Sequence, residues 1–437
     1  MRREPLALMM RAAALGDVVH LRLLHMNMVL VRHPDDIKHV LVENHRAYGK
    51  KTPGYDALRL ALGDGLVTSE GDFWRRQRRI AQPAYHRRRI AAFGGVMTRA
   101  TGAMLARWED AARSSATIEL DAEMMALTLR IVGECLLGAD LSDDSSAIGP
   151  AVTTLLGEVV DRLTNPITLP LAVPTPRNRA LAKALRRLDD VVLRIIADRR
   201  RARAAEPARG DDGGGDLLDM LMDAADEETG ERMTDRQLRD EVITTVLAGH
   251  ETTANALAWT FFLLSKYPGV AARAREELAR VLGEREASSE DLPKLGYVEA
   301  VVKESMRLYP PVWTVARSVS EADRLGGFDV PAGFIVLISP WVTHRDPRFW
   351  PNPEGFAPER FLDEAAQREI PKHAYLPFIT GPRQCIGAGF AMMEAQLVLA
   401  TVLRRFAPAL EAGHAVEPFP SVTLRPRNGL RMTLESV

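Results

Sequence analysis

The sequence predicts a mainly α fold with a smaller β part, an α+β arrangement built as a single domain over residues 1–437. Three observations carry this. Apolar residues recur at helical spacing through most of the chain, and residues 234–267 are apolar on nearly every side at their centre. Short strand-like stretches gather near the two ends. No internal repeat or low-complexity block interrupts the pattern.

Taken in order, residues 18–24 and 28–32 read as two strands with a turn at Met26 and Asn27. From Pro34 to about Met125 the pattern is mostly helical, broken at Gly63, Asp64 and Gly65. Residues 121–137 read as a strongly apolar helix. Pro166, Pro170, Pro174 and Pro176 make 164–179 a loop or a set of short turns. A long helix follows and ends in the basic run 198–203. Residues 206–215, closing on three glycines, are the best linker candidate, read as a loop within the fold because helical pattern resumes at once. Thr234 is the expected N-cap of the next long helix, and Pro268 with Gly269 stops it. Residues 328–342 read as strands around a Pro331-Ala332-Gly333 turn, 344–361 as irregular chain, and 387–405 as the last helix before short terminal strands. The N-terminal strands and about 318–343 are expected to form a β-rich subdomain beside a helix-rich remainder.

The chain has 437 residues, a formal net charge of −1 and two cysteines. Near-neutral charge argues against nucleic acid as the main partner. Cys135 and Cys385 lie far apart and neither sits in a C-x-x-C pair, which disfavours a disulfide framework or a structural zinc site. No apolar run is long enough to span a bilayer, and the first residues lack the apolar core of a secretory signal. A cytoplasmic protein without an integral membrane anchor is the expectation.

The sharpest chemical signal is F-x-x-G-x-R-x-C-x-G, filled by Phe378, Gly381, Arg383, Cys385 and Gly387, with Ile386 between the last two. A thiolate that ligates haem iron needs a rigid presenting loop, backbone N–H groups that temper its charge, and shielding from water. Gly381 permits the tight turn, and Gly387 lets the chain pass close to the sulfur. The helix that starts near Gly387 aims its positive end at the thiolate. Phe378 can cover the sulfur and Arg383 can pair a haem propionate. Cys135, on an apolar helix with no such companions, reads as core.

With these motifs the chain resembles the cytochrome P-450 superfamily, soluble bacterial type, along nearly its whole length. The resemblance implies that family's fold, with the long helix crossing a haem b (iron protoporphyrin IX) held by the helix-rich part and bound through Cys385. Glu304 and Arg307 match E-x-x-R, and Arg360 is the expected third member of a buried structural triad. Residues 248–253 match the oxygen-binding motif (A/G)-G-x-(D/E)-T-(T/S). In it Gly249 leaves room for dioxygen, Thr252 bonds it and can perturb the helical ladder near Ala248, which is also expected at the cofactor, and Glu251 relays protons. His250 takes a variable position and is expected to be packed or solvated. Trp74 and Arg78 match W-x-x-x-R, and Arg317 is a further expected propionate contact. Arg75, Arg76 and Arg79 are candidates for steering an acidic electron donor.

The expected substrate pocket takes in Leu62, Ala248, Thr252, Trp313 and Val315, with the proline-rich loop as a lid. Its apolar character points to hydroxylation or epoxidation of a fatty acid, terpenoid, steroid or polyketide. O2 is the co-substrate. Electrons come from a separate ferredoxin, flavodoxin or flavin reductase, since no flavin or iron–sulfur region is visible. The alternatives are a haem-thiolate peroxygenase or isomerase, which would not need Glu251 and Thr252, and a non-catalytic haem sensor. A thiol enzyme using Cys385 would need a nearby base, and His373 is the nearest histidine in sequence.

Overall fold

The computed structural model describes residues 4–23, 25–141, 145–164, 169–205, 216–225 and 230–437. The expected linker at 206–215 and part of the proline-rich loop, 165–168, lie outside the described residues. Two compact units are built from interleaved segments.

The first unit comprises Met1–Thr52, Met97–Met125 and Thr252–Val437. Its main sheet pairs Val18–Leu23 antiparallel with Met26–Val31, which runs parallel to Ile335–Ile338. That strand pairs antiparallel with Val315–Val319, and Tyr48–Gly49 forms the edge. The period of two sorts the side chains. Val29, Val31, Val336 and Ile338 enter one apolar cluster, while Met28, Leu30 and Leu337 enter another with Met9, Ala12 and Val342. Both faces are thus covered, which explains continuous apolar runs in place of alternation.

Also in this unit, Ala388–Leu403 is a helix buried on almost every side, and Gly296–Leu308 packs alongside it. In the second half of the long helix, Trp259 stacks on Tyr309 with ring centroids 4.0 Å apart and donates to the Leu424 carbonyl at 2.9 Å.

The second unit comprises Pro53–Val96 and Ala126–Glu251. It holds the helices Pro53–Leu62, Gly71–Ala81, Ser145–Thr164 and Pro176–Ala205 and the first half of the long helix Asp235–Lys266. The long helix begins with a reciprocal cap. Thr234 Oγ1 accepts the Gln237 N–H at 3.3 Å, and Gln237 Oε1 accepts the Thr234 N–H at 2.7 Å. Arg199 ties the unit together through Asp216, Asp219 and the Leu137 carbonyl.

Two local expectations need correction, the turn at Met26 and Asn27 and the start of the helix after the proline-rich loop. Met26 and Asn27 are paired strand residues facing Leu23 and Arg22, so they do not form the turn. The expected turn at 331–333 does stand between two strands, which take different partners. Phe328–Val330 pairs backward with Asp323–Leu325, while Ile335–Ile338 is claimed by the main sheet. The helix after the proline-rich loop already starts at Pro176, because proline lacks the N–H that a first helical residue would leave unpaired anyway. The long helix stops at Lys266, just before Pro268 as expected, and Pro268 begins the next helix, Pro268–Leu282, for the same reason. Among the described residues no helix is long and apolar enough to cross a membrane.

Candidate active site

Cys385 stands in the first unit on a loop fixed by its own backbone. Its N–H donates to the Phe378 carbonyl at 3.0 Å, and the Gln384 N–H donates to the Gly381 carbonyl at 3.0 Å. Two residues of the loop take left-handed backbone, Ile379 at φ 58° and Gly381 at φ 78°. For a β-branched residue this conformation is strained and persists only where surroundings over-determine it. Gly381 is held by its neighbour: a Cβ there would come within 2.0 Å of the Leu41 carbonyl oxygen. Gly387, at φ −84°, caps the buried helix Ala388–Leu403 with ordinary backbone, so its conformation alone does not require glycine. Phe378, Arg383 and Ile386 are half-buried, whereas Cys385 is exposed. Cys135, by contrast, is fully buried.

Behind the loop lies a buried polar network. Glu304 and Arg307 are both 0% exposed and joined by two hydrogen bonds of 2.7 and 2.8 Å. Arg360 Nε reaches Glu304 at 3.1 Å, and the Ala357 N–H donates to the same carboxylate at 3.0 Å. Arg307 also donates to the carbonyls of His344, Pro353 and Gly355 at 2.9, 2.7 and 2.8 Å. The triad therefore clamps an otherwise irregular segment. His344 carries the clamp onward: its Nε2 accepts the Leu376 N–H at 2.7 Å, two residues before Phe378. That bond leaves the proton on Nδ1, which faces the Arg307 carbonyl at 3.2 Å. Complete burial, with the Arg307 charge nearby, pushes His344 down to about 3, so it stays neutral. Nothing in the local sequence marked His344; only its partners, more than thirty residues away on either side, give it a role.

The middle of the long helix has an uneven surface. Thr245, Gly249 and Thr252 are half-exposed and Ala248 is exposed, while Glu251, Thr253 and Asn255 are buried. Positions 245, 248, 249 and 252 share one face of a helix, so an accessible stripe runs along this part of the helix, with Leu247 half-exposed beside it. Gly249 has a packing reason that the sequence hid: a Cβ there would lie 3.0 Å from Val132 Cγ2 of the Leu120–Leu136 helix. His250 is packed rather than solvated, and burial pushes it down to about 4. Its carbonyl accepts the Thr128 hydroxyl at 2.9 Å.

The remaining candidates are scattered over both units. Trp74 and Arg78 are half-buried on the Gly71–Ala81 helix. Arg317 is 5% exposed on its strand and donates to the Ala316 carbonyl at 2.8 Å. Leu62 is buried. Trp313 packs its indole on the cluster containing Met28 and Leu30 and donates to the Ser421 carbonyl at 2.8 Å, and Val315 packs on the opposite cluster. The three arginines named for steering are not equivalent. Arg75 is exposed but paired with Asp72, Arg76 is held by Glu231 at 2.6 Å, and Arg79 is half-buried.

A haem suits these residues. A single exposed sulfur sits on a strained, braced loop at a helix N-terminus, which favours a thiolate. A buried arginine, Arg317, lies in the same unit as that loop. The long helix offers one open face of small residues and hydroxyls.

Comparison with known proteins agrees. Residues 3–432 match the cytochrome P450 family. The chain is 38% identical to cyclooctatin synthase of Streptomyces melanosporofaciens, over 99% of this chain and 90% of that protein. It is 35% identical to cyclooctat-9-en-7-ol 5-monooxygenase of the same organism, over 97% and 87%. To pentalenene oxygenase of Streptomyces avermitilis it is 32% identical, over 99% and 93%. The chain therefore belongs to the cytochrome P450 family and is a haem-dependent monooxygenase.

Proposed function

We propose that this enzyme oxidises a terpenoid, with Cys385 as the haem-iron ligand and Glu251 and Thr252 managing protons. The observation that carries the ligand assignment is the exposed Cys385 on its braced loop. The names of the relatives support the substrate class, since cyclooctatin synthase, cyclooctat-9-en-7-ol 5-monooxygenase and pentalenene oxygenase share it.

Haem, when bound, supplies the dioxygen and electron chemistry. The chain's own residues do the rest. The Phe378 carbonyl holds the backbone of Cys385, and the helix N-terminus stabilises the sulfur as a thiolate. Arg317, Arg383, Arg78 and Trp74 are the proposed propionate partners, and Ile386 and Gly387 complete the loop's contact surface. Ala248 and Gly249 keep the helix slim where dioxygen must approach. Thr252 Oγ1 hands on its proton and takes another from the Glu251 carboxyl, which is reprotonated from bulk water. Leu62, with the free parts of Trp313 and Val315, supplies apolar wall. The whole chain acts as one domain, and electrons come from a separate ferredoxin, flavodoxin or flavin reductase.

The test is turnover of a terpenoid panel with a surrogate ferredoxin and its reductase under isotopically labelled dioxygen. Products carrying one labelled oxygen, absent when reductant is omitted, are expected. Turnover with peroxide alone, and none with reductant, would favour a peroxygenase.

A further inference from the structure

The first half of the long helix carries a buried acid that the proton route does not use. Glu241 is 4% exposed. Its Oε2 accepts the Leu66 N–H at 3.2 Å, but its buried Oε1 has no hydrogen-bond partner among the described residues. One turn further, Thr244 is 5% exposed and its Oγ1 likewise has none. The adjacent Asp240 differs, because Arg239 and the Asp64 N–H engage its two oxygens at 2.8 and 2.9 Å. Buried polar atoms are normally satisfied, and those that are not call for a cause.

The surrounding loop does not supply the missing partner. Gly63 and Gly65 press their backbone on this turn, so that a Cβ at Gly65 would lie 2.2 Å from Thr244 Oγ1. Helical geometry then says where the pair faces. Glu241 precedes Ala248 by seven residues, two turns and about 10 Å, and is rotated from it by only about 20°. It therefore lies in the same row as Thr245 and Ala248, at the buried end of the accessible stripe.

We infer that Glu241 and Thr244 form the polar anchor of the substrate site and take a hydroxyl group. The substrate is thus an already hydroxylated, otherwise hydrocarbon skeleton. This rests on the monooxygenase reading above and narrows it. An alcohol O–H donates to Glu241 Oε1, and its oxygen accepts the Thr244 O–H, so one small group satisfies both atoms. Burial, reinforced by the Asp240 charge and opposed by the Leu66 N–H, pushes the Glu241 carboxyl up to about 7. A neutral alcohol adds no second buried charge, whereas an ammonium ion would. An earlier hydroxylation, or a cyclisation quenched by water, must supply such a substrate.

The experiment titrates the holoenzyme with alcohol and hydrocarbon partners and follows the Soret spin-state shift. The panel pairs farnesol with farnesene and cyclic diterpene alcohols with their deoxy counterparts, with farnesylamine as the cationic arm. For at least one pair the alcohol should bind about tenfold or more tightly than its hydrocarbon. Glu241→Leu should abolish that difference, and Glu241→Gln and Thr244→Val should each reduce it. Each variant is first required to give the parental thiolate-type spectrum with carbon monoxide. No alcohol preference in any pair, a preference that survives Glu241→Leu, or an amine preferred over its alcohol would overturn the inference. A parent enzyme without the thiolate-type spectrum would instead defeat the underlying reading.

Discussion

Replacing Glu304 by Gln should cost the protein about 3–5 kcal/mol, the usual penalty for stranding one member of a buried ion pair. Four donors converge on this carboxylate: two from Arg307, one from Arg360 and the Ala357 N–H. Counted separately they would sum to more, but bonds to one acceptor are not additive. Gln keeps the shape, yet it removes the charge and turns an NH2 group towards Arg307, which is 0% exposed and cannot rehydrate. Against a total stability of order 5–15 kcal/mol this is a large loss. With a urea slope of roughly 3 kcal/mol/M, the unfolding midpoint falls by about 1 M or more. The assay is urea unfolding of the holoenzyme, read in parallel by tryptophan fluorescence and Soret absorbance. Because Arg307 holds the His344 carbonyl and His344 holds Leu376, the Soret signal should be lost no later than the fluorescence. A variant within about 1 kcal/mol of the parent would refute the claim that this carboxylate organises the segment leading to Cys385.

Three further outcomes are expected. Glu241 has a folded pKa of about 7 against an ordinary 4.5, so its contribution is intact below about pH 4.5 and lost as pH rises to 7. The loss is about 3 kcal/mol; Glu241→Gln should flatten the fall in urea midpoint between pH 5 and 8, and an unchanged slope would count against it. Gly249→Ala presses a methyl on Val132 and should destabilise by about 1 kcal/mol in thermal unfolding, with Val132→Ala relieving it; additive effects would deny the contact. Gly381→Ala places its Cβ against the Leu41 carbonyl in left-handed backbone and should yield protein with most of its haem lost, measured as the ratio of Soret to protein absorbance.

The loop around Cys385 and the Glu304–Arg307 pair were legible because their geometry is local. The residues from Phe378 to Gly387 form one loop, so their spacing speaks for their geometry. Glu304 and Arg307 are one helical turn apart, and their pairing follows from the helix. What stayed hidden depends on partners distant in sequence. His344 gains its role from Arg307 and Leu376, and Glu241 from Leu66, a loop 175 residues upstream. Val132 explains Gly249 only once two helices cross. Strand partners were hidden for the same reason: the two strands flanking the turn at 331–333 do not pair with each other, and Ile335–Ile338 pairs with Met26–Val31, three hundred residues earlier. Nothing in the sequence near Trp313 showed that it also packs on the apolar cluster containing Met28 and Leu30.

The most direct test of the central claim is the carbon monoxide difference spectrum of reduced, purified protein, compared with Cys385→Ala and Cys135→Ala. The account predicts a thiolate-type spectrum in the parent, its retention in Cys135→Ala, whose sulfur is buried in the core, and its disappearance in Cys385→Ala. A full thiolate-type spectrum from Cys385→Ala would contradict it.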